Sequence, residues 1–151
     1  MNEEIAPLDF NTDGPLEEWL SRVSQSLDEG FLELGGLAPL LFVVSTIGDA
    51  HVIGTPFTNR DNRDAYDLIG AWAREHLSKC GAVRYAFACE SRHHQEHMLV
   101  SIEAADYRSA ISGIREIVRP ENGKSYLGPL EPINSQGFFR GRLLPERGRL
   151  Q

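Results

Sequence analysis

Between Glu90 and His97 the chain reads Glu-Ser-Arg-His-His-Gln-Glu-His, which gathers three of its five histidines within five positions, beside two glutamates and an arginine. Imidazoles at that density can hold a metal ion or titrate near neutral pH. His93 and His97 are the candidate metal ligands, because an i, i+4 histidine pair converges on one ion when its segment is helical. The runs on both sides alternate with period two, so the segment reads instead as the tip of an antiparallel hairpin, whose side chains diverge. A charge-mixed loop with no native metal is the expectation, and no cofactor is expected elsewhere.

The second constellation surrounds Asn122-Gly123, the strongest two-residue hairpin signal. With those two residues as the turn, Val118 pairs with Leu127 and Arg119 with Tyr126. Glu116 then shares a face with Ile114, Val118 and Leu127, an apolar setting in which a carboxylate takes an arginine partner or holds its proton. Arg115 and Arg119 fall on the opposite side, where with Tyr126 they form a candidate anion- or ligand-binding face. Glu116 and Glu90 are the candidate catalytic carboxylates.

Nucleophilic and nucleotide chemistry find little support. The chain has no Gly-x-Ser-x-Gly elbow, no Gly-x-x-x-x-Gly-Lys phosphate loop and no Gly-x-Gly-x-x-Gly fingerprint. Its two cysteines read as core thiols, Cys80 on the apolar stripe of a helix and Cys89 within a strand.

Several elements must position these residues. Asp13-Gly14-Pro15 opens a helix carrying Leu16, Trp19, Leu20, Val23 and Leu27 at 3.6-residue spacing, which runs on through Phe31 and Leu34 to the stop at Gly35-Gly36. Leu40 to Ile47 is a β-branched run returning through His51 to Thr55 as a hairpin. A second helix follows, with Ala65, Leu68, Ile69, Trp72, Ala73, Leu77 and Cys80 on one face before Gly81. Val83–Glu90, Met98–Ala104, Ile111–Arg119 and Ser125–Leu130 read as four further strands. The expected architecture is therefore α+β: one mostly antiparallel sheet of about five to six strands with two amphipathic helices, in the order α-β-β-α-β-β-β-β. In element order this outline is similar to the roadblock and profilin-like small domains, a likeness that implies a binding or dimerisation module and brings no functional residue with it.

Composition sets the outer bounds. At 151 residues, 41% of them hydrophobic, one domain spanning 1–151 is expected, with 1–12 and 146–151 as flexible termini. Net charge is −7, divided into −10 over residues 1–75 and +3 over 76–151, a balance that disfavours nucleic acid. The acidic N-terminus and the absence of a long apolar run argue against export and membrane insertion, and two cysteines fit a reducing cytoplasm. The expectation for function is a cytoplasmic binding or assembly module, self-associating as a homodimer or taking a protein partner, without catalysis. The alternative is a small hydrolase-type enzyme using Glu90 and Glu116 with the histidine loop.

Overall fold

A computed structural model of the chain describes residues 5–7, 14–34, 37, 39–55, 63–93, 97–134 and 139–145, with positions 5–7, 34, 63–66, 91–93 and 97–98 described by backbone alone. In chain order the elements are β1 (Ile5–Pro7), α1 (Leu16–Leu34), β2 (Leu40–Ser45), β3 (Ala50–Gly54), α2 (Arg63–Lys79), β4 (Ala82–His93), β5 (His97–Asp106), β6 (Ala110–Val118), β7 (Tyr126–Leu127) and β8 (Glu131–Ile133). They form one antiparallel sheet in the order β1-β3-β2-β4-β5-β6-β7, with β8 also paired to β6. The expected α+β class, antiparallel sheet and two helices are present. Ile5–Pro7, assigned from sequence to a flexible terminus, pair with β3 as an edge strand. The rest of 1–12, and 146–151, lie outside the described residues.

The sheet is covered on both faces, one helix to each. On α1 the apolar positions Leu16, Trp19, Leu20, Val23, Leu27 and Phe31 are buried, and they pack on Phe42, Val44, Ala86, Ala88, Val100, Ile102 and Ala104. Gly30 does not end this helix. Its cost of about 1 kcal/mol inside a helix is smaller than the roughly 1.5–3 kcal/mol recovered by burying Phe31 completely. On the opposite face Ile69, Ala73 and Leu77 of α2, spaced i, i+4, pack on Leu41, Val43, Ile53, Tyr85 and Phe87. The interior strand β2 is thus buried on both sides, which is why its sequence is a nearly unbroken apolar run.

The β6–β7 pairing departs from the expected register. Ile117 pairs with Leu127 and Val118 with Tyr126, so the connection is the longer segment 119–125 rather than a two-residue Asn122-Gly123 turn. Gly123 adopts a positive φ of 134° within that exposed loop. Pro120, directly after Arg119, has no N–H for a tight hairpin ladder and restricts the residue before it. Burial decides the outcome, because pairing Ile117 with Leu127 places both against α1. A one-residue slip exchanges every side chain between faces. Glu116 is accordingly exposed and Arg115 buried, the reverse of the expectation.

Beyond β7 the chain supplies β8 and then a strap over the α2 face. Phe139 packs edge-on against Phe87, with ring centroids 5.3 Å apart. The strap's Phe139 N–H donates to both carboxylate oxygens of Glu103, at 3.2 and 3.1 Å, and its Gly141 N–H donates to the Tyr85 hydroxyl at 3.1 Å. Phe138 lies outside the described residues.

Candidate metal centre

At the end of the sheet where β3 runs beside α2, three metal-ligating side chains meet. His51 lies two residues before Ile53, so the strand's period of two places both on the face that α2 covers. His76 occupies the last turn of α2, and Cys80 follows one helical turn later, its N–H donating to the His76 carbonyl at 3.2 Å. Gly81, at φ +63°, ends that turn in the left-handed conformation and turns the chain into β4. His76 and Cys80 therefore share one helical side and face His51 across the layer.

The Nε2 atoms of His51 and His76 are 2.8 Å apart, the ring planes inclined at 76°. One ligand atom from each of His51, His76 and Cys80 lies within 4.8 Å of the others, and all three residues are half-buried. Trp72, one turn before His76, stacks on its ring with centroids 6.3 Å apart and planes inclined at 16°. Two imidazole nitrogens at 2.8 Å need a proton or a cation between them. Two imidazolium rings would set donor against donor. His51 is held below the usual histidine pKa, chiefly by burial and then by His76, with Asp49 opposing. Burial likewise pushes the Cys80 thiol up, against smaller backbone contributions. Without an ion, then, the cluster is a pair of imidazoles sharing a proton beside a protonated thiol.

This donor set suits a borderline-soft cation. Zinc(II) binds imidazole nitrogen at about 2.0–2.1 Å and thiolate sulfur at about 2.3 Å, which places tetrahedral N and S ligand atoms roughly 3.3–3.6 Å from one another. The observed nitrogen pair would have to open by about 0.5 Å, a side-chain adjustment. Two nitrogens and a sulfur with no carboxylate match zinc, cobalt or copper and not magnesium or calcium. Binding would release the thiol proton and shift the N–H between the rings from Nε2 to Nδ1, leaving both Nε2 atoms free to ligate.

The residues singled out in the sequence lie elsewhere. Glu90 is buried on the α1 face, where it accepts the Leu37 N–H at 2.8 Å. Glu116 sits on the other face, exposed. Along the order β3-β2-β4-β5-β6, four inter-strand steps of roughly 4.8 Å separate the strand of His51 from that of Glu116, about 19 Å in all. Arg115 is committed to the fold. Its Nε donates to the Gly128 carbonyl at 2.6 Å, and its terminal nitrogens donate to the Ser24 carbonyl at 2.7 Å and to Asp28 Oδ1 at 2.6 Å. Arg119 and Tyr126 are exposed and belong to the loop and to β7, so Arg115 does not join them in one face. The backbones of His93 and His97 pair directly across the β4–β5 hairpin, while their side chains and residues 94–96 lie outside the described residues.

Sequence reasoning did not find the cluster. The available signal was His76-x-x-x-Cys80 at i, i+4 on a helix end. In the sequence Cys80 falls on the apolar stripe of α2 and His51 on a separate hairpin, and the packing of α2 across β3 joins them. Set against protein-family models, curated proteins and solved structures, the chain matches none, so the reading of this site rests on its geometry.

Proposed function

We propose that the chain is a small, non-catalytic binding module whose ligand is a late first-row transition-metal ion, zinc(II) being the reference case, held by His51, His76 and Cys80. One observation carries this reading: three nitrogen and sulfur donors from a strand and a helix, distant in sequence, converge within 4.8 Å. A thiolate ligand suits a reducing compartment, and the cytoplasm is the location that belongs to the proposal. Self-association belongs to it as well, with the edges at β1 and at β7–β8 as the surfaces on which another sheet could pair. No described helix is long and apolar enough to cross a membrane.

The hydrolase alternative is the weaker one. A zinc hydrolase combines three protein ligands and a metal-bound water with a nearby general base. Glu90 faces the other side of the sheet, and Glu116 lies several strands away.

The test is elemental analysis of protein purified without a nickel column, followed by titration of the metal-free protein with zinc(II) and cobalt(II). One equivalent should bind, and His76→Ala and Cys80→Ser should each abolish stoichiometric binding. Absence of saturable binding in the wild-type protein would refute the proposal.

A further inference from the structure

We infer that an ion held by His51, His76 and Cys80 keeps one coordination position open to a ligand from outside the chain, so that the site loads and unloads its metal without unfolding. This inference rests on the metal-binding reading and concerns the mode of use of the same site.

Three observations support it. The first is donor count: among the described residues the cluster offers three ligand atoms, one short of the closed four-ligand set of structural zinc. Asp49, two residues before His51 and close enough to oppose the lowering of its pKa, is not within that cluster.

The second is exposure. His51, His76 and Cys80 are each half-buried, in contrast to neighbouring Leu77 and Ala73, which are fully buried. The three side chains keep part of their surface accessible, and an incoming thiolate, imidazole or hydroxide can approach there.

The third is that neither ligand-bearing element depends on the ion for its place. α2 is anchored by Ile69, Ala73 and Leu77 in the core, and β3 is paired along its length with β2. Small domains whose metal is structural lack such a core, and their binding free energy is folding free energy. Here the two are separable. A three-donor, solvent-reachable site on a self-sufficient fold is built for exchange of its ion with an external donor of imidazole or thiolate character.

The experiment uses the full chain loaded with cobalt(II), with azide as the probe of the open position and a chromophoric chelator as the acceptor. Azide should shift the visible d–d bands in a saturable way, and the metal should pass to excess chelator at least about tenfold faster than the metal-free protein unfolds under the same conditions. The metal-free protein should keep the circular dichroism of the loaded form. Bands unmoved by azide, with metal released only at the unfolding rate, would overturn the inference and leave the metal-binding reading standing; a fourth protein ligand would then close the site, and restored azide sensitivity in Asp49→Asn would identify it. Failure of cobalt to bind at all would instead refute the metal-binding reading, and this inference with it.

Discussion

Replacing Arg115 with methionine separates the structural use of a buried charge from a ligand-binding one. Arg115 is only 6% exposed, and its guanidinium joins three segments: α1 through the Ser24 carbonyl and Asp28, β7 through the Leu127 carbonyl at 3.3 Å, and the residue beyond β7 through the Gly128 carbonyl. Methionine keeps much of the stem volume and removes every donor. The Gly128 carbonyl, bonded at 2.6 Å, loses its donor at a cost of about 1–3 kcal/mol, and the Ser24 carbonyl, bonded at 2.7 Å, keeps its donor within α1 and loses only the charge-assisted bond, about 1 kcal/mol. Relief of the guanidinium's own desolvation offsets part of this, leaving about 2–3 kcal/mol. The Asp28 side chain is 44% exposed, so its ion pair is screened and Asp28→Asn should cost no more than about 1 kcal/mol.

In a chain of 151 residues that difference corresponds to a fall in melting temperature of roughly 6–10 °C for Arg115→Met. Urea unfolding followed by circular dichroism measures both variants. If Arg115→Met lies within about 0.5 kcal/mol of wild type, the guanidinium is not a buried tie. If Asp28→Asn costs as much as Arg115→Met, the exposed ion pair dominates and the ranking of the bonds is wrong.

Two other perturbations test the register and the strap. Glu116→Gln should leave stability within about 0.5 kcal/mol of wild type in urea unfolding, because the carboxylate is exposed on β6; a loss of several kcal/mol would restore the apolar setting that the Asn-Gly turn predicted. For Tyr85, burial first and the Glu103 carboxylate second raise the phenol pKa well above its ordinary value, so the unfolded chain releases this proton before the folded one does. Its contribution to stability is full below pH about 10 and falls as pH rises beyond that value. Tyr85→Phe should therefore lose less stability than wild type over that alkaline range, measured by urea unfolding at successive pH values, and identical slopes would contradict the assignment.

The elements legible in the sequence were those with a strong period. The stripe Leu16 to Phe31, the helix ending near Cys80 and the alternation along β4 and β5 each encode which side must be buried, and each element forms close to its expected bounds. The β6–β7 register was not legible, because two rules conflicted. Asn-Gly favours a tight turn, whereas burying Ile117 with Leu127 on α1 favours a longer loop, and several kcal/mol of apolar burial outweigh a turn preference. The candidate site was obscured for another reason. Local density drew attention to His93 and His97, while His51 and His76 stand 25 positions apart and meet only because α2 packs across β3.

Two kinds of polar side chain are set into the fold, and the contrast bears on function. Glu90, Glu103 and Arg115 each bond to the main chain of a segment outside the regular ladder: the stretch after α1, the C-terminal strap, and the chain following β7. There a charge fixes a segment that hydrophobic pattern alone would place loosely, because a main-chain group meets it in one register only. That use explains why Glu90 and Arg115 look like chemistry in the sequence and are bound to the fold in the structure. His51, His76 and Cys80 are different. They converge side chain to side chain between two elements that apolar packing already holds. The apolar contacts of α2 and the pairing of β3 with β2 place both elements, and the proposed binding of a cation would give the convergence of these donors a use.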